Sequence, residues 1–179
     1  MADSNEQEYR YPIGRMKIEG EITPDMIKSF IHDIEAAPDN LRKAIEGLSD
    51  EQLNTPYREG GWTIKQVVHH LPDSHLNSYI RFKLALTEDN PIVKPYFESR
   101  WAELPDSFNT PVSISVELFA NLHARWANLL NSLSPADFKR TFRHPESGQV
   151  NLERTVAIYA WHGKHHIAQI TSLRQRKGW

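Results

Sequence analysis

The sequence predicts an all-α fold: a four-helix bundle with unusually long connections. Three observations carry that expectation. Four long segments repeat apolar residues at helical spacing. Each is bounded by cap or breaker residues. Strand signals are confined to one short, turn-rich stretch near residues 142–151. Helices of this length with apolar faces bury them best against one another.

The first ten residues are polar and read as a flexible tail. The first helix starts from Thr23 as N-cap, with Pro24 in the first helical position and Asp25 behind it. It runs to about Gly47, and Pro38 predicts a kink or a split into two pieces. Ser49 to Leu53 reads as one short turn. The loop Tyr57-Arg58-Glu59-Gly60-Gly61 leads into a second helix from Thr63 to about Glu88, which Asp89-Asn90-Pro91 ends.

Residues 89–112 hold four of the eleven prolines and read as a long, mostly irregular connection. Such a length permits a topology other than simple up-and-down, and loops of this size are often functional. The third helix spans roughly Ser113 to Ser132, with Leu118, Leu122, Leu129 and Leu130 among its apolar positions. Ser134-Pro135 starts a short helix. A hairpin is expected around Ser147-Gly148, and the fourth helix runs from about Leu152 to Arg176. The whole chain, 1–179, is expected to form one domain.

Composition narrows the chemistry. A net charge of −2 gives no electrostatic footprint for nucleic acid. No apolar run approaches membrane-spanning length, and the polar, acidic N-terminus is unlike a signal peptide, so a cytoplasmic location with no membrane partner is expected. There is no cysteine. Disulfides, thiolate ligands and a thiol nucleophile of the protein's own are therefore excluded. Any metal must be held by nitrogen and oxygen.

Six of the nine histidines fall in two short windows, His69-His70-Leu71-Pro72-Asp73-Ser74-His75 and His162-Gly163-Lys164-His165-His166. Residues four apart on a helix lie one above the other, so His162 and His166 can address one atom. Leu152, Val156, Tyr159, Gly163, Ile167, Ile170 and Leu173 define the inward stripe of the fourth helix. His162 and His166 fall in or beside that stripe, while His165 lies well off it. Gly163 leaves room on this face for a ligand or a close helix. Imidazole is the commonest protein metal ligand, and two from one helix plus a third from elsewhere describe an open site. Spacing alone leaves this open against a pair of core histidines hydrogen-bonded to neighbours. The spacing resembles a zincin helix, but Gly163 and not Glu follows the first histidine, which argues against a zincin-type protease.

Phase is less decisive on the second helix. Ile64, Val67, Val68, Leu71 and Phe82 mark its stripe, with His70 at the flank and His75 nearer the centre. His69 faces away and reads as a surface residue. Pro72 removes one helical hydrogen bond and bends the register, so the wheel favours His75 as readily as His70. Asp73, one turn beyond His70, can orient an imidazole or act as a base, though a solvated carboxylate is the simpler reading. His32, His123 and His144 are isolated and read as structural or exposed.

Several longer motifs add a resemblance. They are Tyr11-Pro12-Ile13-Gly14, Thr55-Pro56-Tyr57-Arg58-Glu59-Gly60-Gly61-Trp62-Thr63, Gln66-Val67-Val68-His69-His70-Leu71 and Asp73-Ser74-His75. Tyr159-Ala160-Trp161-His162, His165-His166-Ile167-Ala168 and Gly178-Trp179 complete the set. In order and spacing they resemble the YfiT group within the DinB-like superfamily of metal-binding bundles, over nearly the whole chain. The resemblance implies an unusual bundle topology, a homodimer and one divalent metal held by three histidines. The ligand of the second helix precedes a Leu in that family, which implies His70. The other two ligands stand four apart on the last helix, which implies His162 and His166.

The implied activity is that of a metal-dependent hydrolase that activates water for a small-molecule substrate. Zinc is the default ion for three imidazoles, with nickel the alternative. Related proteins transfer low-molecular-weight thiols such as bacillithiol, so a thiol transferase is the second expectation. A non-catalytic, metal-dependent small-molecule binding protein is the third.

Overall fold

A computed structural model describes residues 2–179, with side chains from residue 6 onward. Helix α1 covers Ala2–Arg10, α2 Pro24–Ile45, α3 Asp50–Leu53 and α4 Ile64–Thr87. Two one-turn helices follow, α5 at Glu98–Trp101 and α6 at Asp106–Asn109. Then come α7 (Val112–Asn131), α8 (Pro135–Phe138), the strands β1 (Thr141–His144) and β2 (Gly148–Asn151), and α9 (Leu152–Lys177).

The starts are where the caps place them. Thr23 accepts from the Met26 amide, Thr63 from the Gln66 amide and Asn151 from the Arg154 amide. Gln66 Oε1 in turn accepts from the Thr63 amide at 3.0 Å, a reciprocal pair that satisfies two orphan donors. At the other end of α9, Gly178 takes φ 70°, a conformation that suits glycine, and the Trp179 amide donates back to Arg174. Pro38 and Pro72 lie inside α2 and α4. Of the kink or split expected at Pro38, the split does not occur: α2 is one helix. A proline removes only its own backbone donor, and here the buried ring lies within a long, packed helix.

The four long helices, α2, α4, α7 and α9, form the bundle. Around it, α2 packs on α7 and α9, and α4 packs on the same two, so α2 and α4 are diagonal, as are α7 and α9. Side-chain pairs give the directions. Lys164 reaches Asp33 and Arg174 reaches the Ala44 carbonyl, so α9 runs parallel to α2. His69 meets Ser115 and His75 meets His123, so α4 and α7 are also parallel. Arg42 meets Glu117 while Ile34 meets His123, so α2 and α7 are antiparallel. The order is up, down, down, up. A 24-residue α4 is about 36 Å long, and the chain must travel back that distance before α7 can start alongside it. This return is the work of residues 88–111. That connection is less irregular than expected: it carries α5 and α6, and Val93 donates to Arg143 of the hairpin.

The core has two apolar layers. One gathers Ile34, Phe82, Trp126, Leu130, Leu152 and Val156 near the β-hairpin. The other gathers Leu41, Ile64, Val67, Leu71, Phe119 and Leu173. Buried histidines lie between them. Leu118, expected among the apolar positions of the third helix, is 47% exposed, and the buried face of α7 runs instead through Phe119, Leu122, His123 and Trp126.

The segment expected as a flexible tail is helical over Ala2–Arg10. A nine-residue helix is marginal alone. This one docks on the bundle: Arg176 lies over the Tyr9 ring, Arg58 pairs with Glu6 at 3.6 Å, and Gln169 donates to the Arg10 carbonyl. Among the described residues, no helix is long and apolar enough to cross a membrane.

Candidate metal centre

On α9 the four-residue spacing stacks His162 below His166, with ring centroids 4.5 Å apart. Antiparallel α4 brings His70 against both, at 5.3 Å from His162 and 4.8 Å from His166. Each of the three offers one ring nitrogen, and these atoms all lie within 4.8 Å of one another. His70 Nε2 and His162 Nε2 are 3.4 Å apart. Two nitrogens bound tetrahedrally to one ion at about 2.0–2.1 Å stand about 3.4 Å apart, so this pair is already at ligand spacing. Trp62 covers the outer side, packing on His70 at 4.7 Å and lying nearly parallel to His166 at 6.3 Å.

The far nitrogens are also held. Gln169 Oε1 lies 2.9 Å from His166 Nδ1, and its amide nitrogen donates to the Arg10 carbonyl. His75 Nε2 lies 3.1 Å from His162 Nδ1. Burial pushes the ring pKa values of His162 and His166 well below the usual histidine range, and neighbouring imidazoles add to the effect. His70 is lowered to about 4, first by burial and then by His165. These rings are therefore neutral at pH 7, the form that binds metal. Three neutral imidazoles with converging nitrogens and no carboxylate among them suit a borderline divalent ion such as zinc or nickel.

A cavity of about 580 Å³ opens directly over the triad. Its walls include Tyr11, Tyr57, Arg58, Trp62, Tyr96 and His165. An open cavity above three candidate ligands would leave a coordination position for water or substrate. Asp73 is half-buried, and burial with nearby Asp106 raises its pKa to about 6. It does not line the cavity; its neighbour Ser74 does.

Two expectations for the other histidines change. His69, expected at the surface, is 6% exposed, with Nδ1 2.7 Å from Ser115 Oγ. The first turns of α4 are covered by α6, α7 and the end of α5, which meet Lys65, Gln66 and His69, so the outward face is buried there while Leu76 and Ile80 further along stay exposed. His165, placed off the inward stripe by phase, is also buried, stacked on Trp161 at 4.5 Å and against Tyr11 at 5.6 Å, and its ring stands 5.0 Å from His166 in the cavity wall. The N-terminal segment covers it. His75 and His123, at 0% and 1% exposure, are buried behind the triad. Gln169 was not singled out, His123 was read only as structural or exposed, and His75, weighed beside His70 as a ligand, lies behind the triad instead. The available signal was a polar residue on an apolar stripe, which demands a partner when buried.

The geometry has close counterparts. The DinB superfamily profile matches residues 33–170. A protein of Bacillus mycoides (strain KBAB4) named "Putative metal-dependent hydrolase" is 56% identical over 173 residues, covering 97% of this chain and 99% of that one. A protein of the same name from Oceanobacillus iheyensis is 55% identical over 170 residues, covering 95% and 98%. Among solved structures, YfiT from Bacillus subtilis superposes with TM-score 0.93 at 48% identity, over 96% of this chain and 99% of that one. It is described as "a probable metal-dependent hydrolase with an unusual four-helix bundle topology". TT2238, a four-helix bundle protein, matches at TM-score 0.56 and 18% identity over 86% of this chain and 99% of that one, a likeness of fold alone.

Proposed function

The chain belongs to the DinB superfamily, and from that premise we propose that it is a metal-dependent hydrolase acting on a small molecule. The observation that carries the proposal is the convergence of His70, His162 and His166 at the base of an open cavity. These three would hold one divalent ion, zinc first. Such an ion supplies the Lewis acidity that makes water a nucleophile at neutral pH.

The chain's own residues do the rest. His162 and His166 are fixed by α9 and by their far-nitrogen partners, so their donor atoms need little reorganisation to bind. Trp62, packed on His70, and Tyr11, packed on His165, wall two sides of the cavity. Tyr96, whose hydroxyl burial raises above its usual pKa, stays protonated and can donate to a bound substrate oxygen. No proton-transfer role is assigned to Asp73, which lies outside the cavity wall. A homodimer and a cytoplasmic location belong to the same proposal. The exposed pairs Leu76 with Ile80 on α4 and Ile114 with Leu118 on α7 are apolar surface that a second copy would cover.

The test is turnover of ester, amide and phosphoester panels by chelated protein, before and after zinc is restored. Hydrolysis that appears only with the metal supports the proposal. Metal-dependent thiol transfer from bacillithiol without hydrolysis would favour the transferase instead. Full activity in the metal-free protein would contradict both.

A further inference from the structure

We propose that His75 and His123 are positioning residues for His162, holding its ring in the tautomer that leaves Nε2 free for the ion. The inference rests on the metal reading of the triad but is argued from a separate chain of hydrogen bonds. That chain starts at a backbone carbonyl. Ile34 of α2 is 1% exposed, and its carbonyl lies 2.6 Å from His123 Nδ1 on α7. A carbonyl can only accept, so His123 Nδ1 carries the proton. Burial lowers the His123 pKa to about 4, so the ring is neutral and has one proton to give. Its Nε2 is then an acceptor.

His75 Nδ1 on α4 lies 2.9 Å from that acceptor, so His75 donates through Nδ1. His75 is fully buried among Phe119, Trp126 and Tyr159, where a charged ring would be costly, so with its proton on Nδ1 its Nε2 is a lone pair. That lone pair faces His162 Nδ1 on α9 at 3.1 Å. His162 therefore carries its proton on Nδ1, and its Nε2 points unprotonated at the site beside His70 Nε2. One carbonyl sets the direction of every bond, and each of the four bundle helices contributes one member. The chain is no proton wire, because the Ile34 carbonyl cannot take up a proton.

The surroundings make a purely space-filling role a poor account. The His75 ring packs edge-on against Phe119, Trp126 and Tyr159 at 5.0, 5.9 and 5.0 Å. An apolar side chain would suit that pocket with no desolvation cost. Second partners of metal-bound histidines commonly change affinity by about 10–100-fold.

The experiment has two arms. Long-range ¹H–¹⁵N correlation spectra of the metal-free protein at neutral pH should show His123, His75 and His162 all protonated at Nδ1 and neutral. Any of the three protonated at Nε2, or at both nitrogens, would overturn the proposal without need of a variant. In the second arm, zinc affinity is measured by chelator competition. His75→Leu should bind about 10–100-fold more weakly. His75→Gln, whose Oε1 can still accept from His162 Nδ1, should retain most of the affinity. Leu equal to or better than Gln would mean the ring only fills space, and would overturn the proposal. If unaltered protein binds no zinc while the tautomers are ordered as stated, the metal reading fails, and the positioning role falls with it. If zinc binds and the tautomers are not ordered, this inference alone fails.

Discussion

The histidines between the two apolar layers divide into an open group and a sealed group. His70, His162 and His166 turn nitrogens toward one another under a cavity. His75 and His123 have 0% and 1% exposure and sit in series behind them. The same side chain does opposite jobs. Where nitrogens converge and water can reach them, the arrangement is suited to hold a cation. Where they alternate donor and acceptor and end on a carbonyl, it orients a ring. Access and hydrogen-bond direction make the difference, because burial leaves both groups neutral.

The largest expected effect breaks the open group. Ala at His70, His162 or His166 should weaken zinc binding by more than about 100-fold, each removing one of three ligands. His165→Ala should leave it nearly unchanged, since that ring lies beside His166 at 5.0 Å and stacks on Trp161 but is not one of the three converging nitrogens. Chelator competition across the four variants makes the comparison, and equal losses would erase the distinction.

Next comes pH. Metal-free protein should lose thermal stability as pH falls from about 6.5 toward 4. His70 and His123 are lowered to about 4 in the fold but titrate near 6.5 when unfolded, so the unfolded chain takes up protons that the fold refuses. Each contributes about 1.4 kcal/mol per pH unit inside that window, and the contribution is fully present above pH 6.5. Asp73, raised to about 6, acts in the opposite sense over part of the range, one carboxyl against several imidazoles. A Tm that is flat or rising toward pH 4 would contradict the neutral, buried rings.

A smaller effect probes the link between α1 and the open group. Gln169→Ala removes the acceptor at His166 Nδ1 and the bond to Arg10, and should weaken zinc binding about 10-fold. Unchanged affinity would mean that His166 needs no partner. The smallest is Gly163→Ala. A Cβ there would meet Ala37 Cβ at 3.6 Å and His75 Cε1 at 3.7 Å, ordinary contact distances. Helix propensity should then raise stability by up to about 1 kcal/mol with metal affinity unchanged, read from denaturant unfolding.

Much of this was legible in the sequence, unevenly. The fourth helix presents one apolar stripe, so phase alone placed His162 and His166 inward. The first turns of α4 have neighbours on most sides, so the wheel placed His69 outside wrongly and left His70 and His75 level; the family resemblance, not periodicity, favoured His70. The proline-rich stretch 89–112 announced a long return, which the parallel pairing of α4 and α7 explains. The cover over His165 comes from residues more than 150 positions away, and no local pattern carries that information. The partner of His123 was hidden for the same reason: Ile34 offers only its backbone, which the sequence does not mark.

The most direct test of the central claim is X-ray absorption on protein purified without a nickel column, loaded with zinc and quantified for metal. One zinc per chain, with three imidazole ligands at about 2.0–2.1 Å and a further light atom in the open position, is the predicted result. That spectrum should lose one imidazole or the metal altogether in His70→Ala, and neither in His165→Ala. Fewer than three imidazoles, substoichiometric metal, or a spectrum altered by His165→Ala and not by His70→Ala would contradict the account.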